Sequence, residues 1–577
     1  MHKVRGRRLK GRALLAAALT ASLIAGGCSS DSSSSDTTKA TTAPPASVAP
    51  GADSTVPASS GSDATTPATD AAGPDTTAAP ANQVELRWAL SSTPDTLFAP
   101  TFFNSPIGSG MMGLIQDNLL RYTGDGELVP SLASSWKAAD STTYVYTVQE
   151  GIKFSDGTDV TPEDVKFSID QQSDPVVASK ESALFENVDS VTVDGNDVTV
   201  KLKTPDSLWK FLPSHMGMYI YSKADVEANR DAYGTPEHFP LGSGPYMVEE
   251  FVADSYITMV PNPNYWGDAP KFSKIRFDII PDDQTRLLAL QQGDIDGTFD
   301  VPSASISQWE QAATVNSAPA YVFRGLTLDM DQAPFNDIHV RRALYYATDR
   351  AGIAEGLFPG QALAANTLNV SELFSGILPD DEVTSGYDKI TSYEFDLDKA
   401  RAELALSSVP NGFDTTINVP DGSKAAGLIT QAIKESWSQI GVNVELNLMP
   451  GGPRFQIILD HGPNLGVQII GNAPDVPDPM QLLALYYDSA AAATNGNNSS
   501  NFRDADVDAM IAKARQSSDP AEAATIALEI QQAAAEQIPI IPILWSDFKF
   551  AVRKDWTSSP LNGFSISNNF VAALNPG

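Results

Sequence analysis

One cysteine, Cys28, stands in a chain of 577 residues. Without a second thiol there is no intrachain disulfide, no thiolate metal cluster and no CxxC redox chemistry. The five histidines, His2, His215, His238, His339 and His461, are scattered, and there is no HExxH, which excludes a helical zinc-hydrolase site. GxSxG and the phosphate-loop pattern GxxxxGK(S/T) are also missing. Positive charge is scarce: 38 Lys and Arg face 71 Asp and Glu, for a net charge of −33. A chain this acidic repels phosphate backbones, so no nucleic-acid partner is expected. What is present is an ordinary globular share of hydrophobic residues, 42%. The length exceeds what one core supports, ~250–300 residues, so two or three domains are expected.

The N-terminus reads as an address. Lys3, Arg5, Arg7, Arg8, Lys10 and Arg12 precede an apolar stretch, residues 13–24, of only 12 residues. That is too short to cross a ~30 Å hydrocarbon layer but suits a signal peptide. It ends in Leu23-Ile24-Ala25-Gly26-Gly27-Cys28, which resembles the lipobox of bacterial lipoproteins, with Ala25 where that pattern favours a larger aliphatic. The alternative is a plain secretory signal with an incidental cysteine. Cleavage before Cys28 would remove six positive charges and take the net charge from −33 to −39. Residues 28–83 follow as a Ser/Thr/Pro/Ala tether without a single aromatic, Leu or Ile. Nothing there can offset the entropy of ordering, so a disordered spacer of roughly 40 Å is expected.

Ordered structure should begin at Val84. Residues 84–90 and 144–148 alternate as strands, and residues 191–202 read as a hairpin about Asp194-Gly195-Asn196-Asp197. Thr161-Pro162-Glu163-Asp164 carries an N-cap hydroxyl, proline at the first helical position and acids in the first turn. Further helices are expected over residues 340–348, 425–440 and 520–537, with a period-2 strand over 442–448. Strands and helices interleave throughout, so the fold class is α/β or mixed α+β.

Two patterns read as structural. Gly108-Ser109-Gly110-Met111-Met112-Gly113 matches GxGxxG, but the residues before it, 102–106, include Pro106 and do not form the strand that a dinucleotide site requires. Loop glycines with helix packing account for it better. The run Asn495-Gly496-Asn497-Asn498-Ser499-Ser500-Asn501 reads as a polar loop, with pocket lining as the alternative.

A series of segments then carries a resemblance. The first run is Leu128-Val129-Pro130-Ser131-Leu132-Ala133-Ser134-Ser135-Trp136, followed by Gly151-Ile152-Lys153-Phe154-Ser155-Asp156-Gly157 and Thr161-Pro162-Glu163-Asp164-Val165. Gly242-Ser243-Gly244-Pro245-Tyr246, Asn264-Tyr265-Trp266-Gly267 and Gln292-Gly293-Asp294-Ile295-Asp296 come next in order. Val340-Arg341-Arg342-Ala343-Leu344, Trp437 with Ile440-Gly441-Val442, and Asp475-Val476-Pro477-Asp478-Pro479 complete the series. Together they resemble the family 5 extracellular solute-binding proteins, the peptide-, nickel- and opine-binding receptors of ABC importers. The resemblance spans residues 84–577.

It implies a two-lobed periplasmic-binding-protein-like fold of type II with an extra subdomain (cluster C). Lobe I would comprise residues 84–323 and 547–577, with the extra subdomain at about 120–235, and lobe II residues 324–546. Hinge crossings are expected near 323–328 and 543–550. The implied role is a receptor rather than an enzyme, lipid-anchored to the outer face of the membrane. It would need no cofactor and would hand a peptide or other small solute to permease and ATPase subunits. Peptide-binding relatives grip the ligand ammonium with an Asp that corresponds to Asp475, although the accompanying Trp is here Asn472. The Arg with which dipeptide receptors hold a carboxylate is also replaced: residues 426–428 are Ala, Gly and Leu, and only Lys424 is nearby. The ligand-binding positions expected are Asp475, Asn472, Thr93 and Lys424, with Cys28 as the lipidation site and no metal ligand. A longer peptide, or another amine-bearing or neutral solute, remains open.

Overall fold

The computed structural model describes residues 84–577 apart from 102–105, 125, 300, 303–304 and 464. Cys28, the expected signal peptide 1–27 and the expected tether 28–83 lie outside the described residues. Eleven strands form one mixed sheet. In chain order they are β1 (Glu85–Leu90), β2 (Tyr246–Val252), β3 (Tyr256–Pro261), β4 (Lys274–Ile279), β5 (Gly297–Phe299), β6 (Ala313–Leu328), β7 (Ala362–Ala364), β8 (Phe413–Pro420), β9 (Val442–Met449), β10 (Val467–Asn472) and β11 (Ile540–Arg553). Their order across the sheet is β9-β8-β10-β6-β11-β5-β1-β4-β3-β2, with β7 also on β11. Pairing is parallel for β1 with β4 and β5, and for β8 with β9 and β10. It is antiparallel along the central β6–β11 ladder. A mixed α/β architecture is what the interleaved periodicities predict.

The β6–β11 ladder joins the two flanks of this sheet; its register shifts between Arg324 and Gly325 and, more widely, in its middle. Ala318 pairs with Phe548 and Val322 with Ser546, so Pro319, Ala320 and Tyr321 stand opposite the single residue Asp547. Pro319 has no N–H to give to the ladder, and Tyr321 is forced to φ +52°. The break lies just before the expected crossing at 323–328. On one side, Leu326, Leu328, Ile541 and Ile543 feed a core with Val340, Ile429, Ile433 and Trp437. On the other, Phe299, Phe550 and Val552 feed a core with Leu86, Trp88, Ile275 and Phe277.

Local signals are realised closely. The Gly195 turn joins strands Val188–Asp194 and Asp197–Leu202 within a separate four-stranded antiparallel sheet. Thr161 caps the helix Pro162–Asp170 through a reciprocal capping box with Asp164. Asp519 caps Pro520–Gln537, and the helix Lys424–Ser438 leads into β9. The glycines of 108–113 differ from expectation: they lie within a helix, Pro106–Ile115, rather than in a loop. A Cβ on Gly113 would sit 2.0 Å from the Ser567 carbonyl oxygen, so the glycine serves close packing. Gly242 is used the same way, where a Cβ would lie 1.8 Å from the Ile115 carbonyl oxygen. The Asn495–Asn501 run is largely buried and bonded within the protein: Asn501 Nδ2 donates to Asp329 Oδ1 (2.8 Å) and Ser499 Oγ to Thr327 Oγ1 (2.9 Å). No helix among the described residues is long and apolar enough to cross a membrane.

Candidate functional site

A cavity of about 460 Å³ opens where the β6–β11 ladder is broken. The break supplies much of its wall, through Ala320, Val322 and Arg324 of β6 and Ser546, Asp547, Phe548 and Lys549 of β11. The end of β10 and the residues after it, Gly471 to Asp475, form a second side, and the turn Ser214-His215-Met216 a third. Tyr122, Phe358 and Phe564 add aromatic surface. A volume of this size, apolar with a few placed charges, suits a small solute.

Asp475 is held from behind. Its N–H donates to Gln481 Oε1 (2.8 Å), and Gln481 Nε2 donates back to Asp475 Oδ2. Gln481 is buried near the start of the helix Met480–Tyr487, which fixes the carboxylate against a rigid element. Oδ1 lies 3.9 Å from His215 Nε2, too far for a hydrogen bond but close enough for electrostatic attraction. His215 Nδ1 accepts from the Gly217 N–H (3.1 Å), so the proton of the neutral ring sits on Nε2, the nitrogen nearer Asp475. Beside them, burial pushes the Glu181 carboxyl above its usual range, the negative charge of Asp475 adds to that, and His215 opposes it. Asn472 Nδ2 lies 3.4 Å from the Tyr486 hydroxyl.

The β6–β11 wall carries two cations of different standing. Lys549 Nζ donates to Ser317 Oγ (2.8 Å) and lies 3.9 Å from Asp547 Oδ2, so its charge is balanced locally. Among the described residues, the partner of the Arg324 side chain is a hydroxyl: Nη1 donates to Ser546 Oγ (2.9 Å). Desolvation lowers the Arg324 pKa from its usual value.

Of the expected ligand-binding residues, Asp475 and Asn472 share the cavity wall. Thr93 and Lys424 do not line it. Thr93 is bonded on the surface to Asp254, accepting from its N–H and donating to its carboxylate (3.0 and 2.9 Å). Lys424 is 75% exposed and paired with Asp283, while its neighbour Ala425 reaches the cavity. Arg324, His215 and Lys549 were not anticipated. For Arg324 a signal existed: a lone cation within the apolar run Val322-Phe323-Arg324-Gly325-Leu326. Among the described residues, no three His, Cys, Asp or Glu side chains are grouped as metal ligands would be.

The fold and this interior cavity define a solute-binding protein, and comparison with known proteins agrees. Residues 127–494 match the model of the bacterial extracellular solute-binding proteins, family 5, and the chain belongs to that family. It is 26% identical over 448 residues to the glutathione-binding protein GsiB of Escherichia coli, covering 76% of this chain and 85% of that one. The fold is shared with the periplasmic binding protein DppA of Helicobacter pylori in complex with the peptide STSA (TM-score 0.75, 22% identity, 85% of this chain and 98% of that chain). It is shared too with the oligopeptide-binding protein AppA of Bacillus subtilis in complex with a nonapeptide (TM-score 0.72, 20% identity, 86% and 100%). The chain is thus an extracytoplasmic receptor of an ABC importer rather than an enzyme.

Proposed function

We propose that the receptor captures a peptide in this cavity, with Asp475 gripping the ligand ammonium, and that it works from the outer face of the membrane on a lipid attached to Cys28. The observation that carries the reading is the setting of Asp475: a carboxylate on the cavity wall, held from behind by the amide of Gln481, with His215 Nε2 3.9 Å from its Oδ1. A part-buried carboxylate on a cavity wall gains from an incoming ammonium that is desolvated against it. GsiB and the solved relatives, named for glutathione and crystallised with peptides, support a peptide over other amines.

Two lobes, residues 84–323 with 547–577 and residues 324–546, would close on the ligand about the ladder break. Contacts across that division favour a closed arrangement. Ser207 N–H donates to the Arg515 carbonyl (2.8 Å), Arg515 Nη2 donates to Asp206 Oδ2 (3.2 Å), and Leu208 packs with Met480 and Leu483. Ligand would then act by preferring closed over open, and the closed form would dock on the permease.

Mass spectrometry of small molecules released from the purified, denatured protein tests the ligand; a released solute with no free amine would remove the peptide reading. For the anchor, Cys28→Ala should move the protein from the membrane to the soluble fraction with its melting temperature unchanged. Retention in membranes after a carbonate wash would show that the lipid reading is wrong.

A further inference from the structure

We infer that Arg324 is the anion-binding residue of the cavity, so that the site takes solutes carrying a carboxylate as well as an ammonium. The inference rests on the peptide reading only for the choice of probe. Its own ground is the bonding of Arg324. The guanidinium lines the cavity, and among the described residues no carboxylate lies within ion-pair distance of it. Its partner is a single neutral hydroxyl, Ser546 Oγ. Lys549, three residues beyond Ser546, pairs with Asp547 instead, so that acid of the same wall is already engaged.

The surroundings leave room at the guanidinium. Across the antiparallel ladder, Arg324 faces Gly471. A Cβ there would already touch the arginine, at 3.5 Å from Cγ and 3.8 Å from Nε, so a longer side chain would occupy the flank of the guanidinium. Glycine leaves that flank to the cavity. A planar five-donor fork with one donor committed is suited to two parallel hydrogen bonds to a carboxylate. Gly471 and Asp475 belong to the same stretch of chain, so the cation and the anion of the site flank one segment. This supplies a carboxylate partner from the central strand in a chain whose helix Lys424–Ser438 has no arginine.

The test uses trialanine, its C-terminal amide and its N-acetyl derivative, titrated calorimetrically into wild type, Arg324→Gln and Arg324→Lys stripped of ligand. Wild type should prefer the free acid over the amide by about 30-fold or more. Arg324→Gln should abolish that preference and keep the preference for a free amine. Arg324→Lys, which retains charge without the fork, should keep a reduced preference and serves if the glutamine variant does not fold. An undiminished acid-over-amide ratio in either variant would overturn the assignment. Sodium acetate, titrated against matched sodium chloride, reads Arg324 without any peptide. It should raise the melting temperature of wild type and not that of Arg324→Gln; equal responses would overturn the inference. If no trialanine form binds, the peptide reading fails by itself and the acetate result decides Arg324.

Discussion

Two charges on the cavity wall, Asp475 and Arg324, are bonded differently from Lys549 and Asp547 on the same wall and from charges on the protein surface. On the surface, cations meet anions directly: Lys424 with Asp283, Lys153 with Asp159, and Arg503 with Asp331. On the wall, Asp475 is held by the amide of Gln481 and Arg324 by the hydroxyl of Ser546. Exposed pairs contribute little, because water and salt already screen each partner. A desolvated charge bonded to a neutral hydroxyl, as Arg324 is, has lost hydration and has much to gain from a ligand that brings a counter-ion. On the proposed reading, the contrast separates charges that meet the solute from charges the fold has already neutralised.

The largest break in that contrast should come from Asp475→Asn. The change is isosteric, and the new amide oxygen can accept from Gln481 Nε2 in place of Oδ2 while Gln481 Oε1 keeps the backbone N–H, so the fold should persist. Loss of one partner of a buried charge pair costs about 2–5 kcal/mol, or a factor of roughly 30 or more in affinity. Association is steered by the strong net negative charge, so the loss should fall mainly on the off-rate. Calorimetric titration with the solute that co-purifies checks this. Equal affinities in wild type and variant would leave Asp475 as a turn residue.

The same contrast explains what could be read from the sequence. Caps, turns and strand alternation are local, so the Thr161 capping box, the Gly195 hairpin and the 520–537 helix were legible. Asp475 and Asn472 were legible because their segment resembles a family motif, and both reach the cavity wall. Arg324 was not, since what distinguishes it is the lack of a carboxylate partner, which depends on strands far apart in the chain. Lys424 lies off the cavity lining for the converse reason. A nearby cation looked available, but Asp283, 141 positions earlier, already holds it. Several family segments proved to be packing devices. Ser243 and Trp266, from two separate motifs, both donate to Asp117 Oδ2 (3.0 Å each).

Asp117 sharpens the comparison, because it too has only neutral donors yet does not line the cavity. Desolvation raises its pKa, outweighing the hydrogen bonds from Trp266 and Ser243 and the attraction of Arg121. For a raised carboxyl the folded state holds its proton more tightly than the unfolded chain. Its contribution to stability is therefore full below the ordinary value of 3.8 and is lost as pH rises through the higher folded value. Asp117→Asn keeps one oxygen for both donors and removes the charge. The variant should equal or exceed wild type in melting temperature at pH 7, and its advantage should shrink as pH is lowered toward 4.5. Melting curves at the two pH values decide it; a variant less stable than wild type at pH 7 would mean the charge is favoured there.

The smallest effect should follow Lys424→Ala. Lys424 caps no helix with its side chain, is 75% exposed, and bonds a carboxylate that has a second cation: Arg286 Nη2 donates to Asp283 Oδ1 (2.7 Å). Removing the lysine therefore leaves Asp283 charged but still paired. An exposed ion pair is worth ~0.2–1 kcal/mol, so affinity for the co-purifying solute should change by less than about fivefold. Because Asp283 and Lys424 lie in different halves of the expected two-lobe division, any residual effect should be a faster off-rate that vanishes at high salt. Stopped-flow dissociation at low and high salt measures this. A loss as large as that of Asp475→Asn, insensitive to salt, would place Lys424 on the ligand and end the distinction between wall and surface charges.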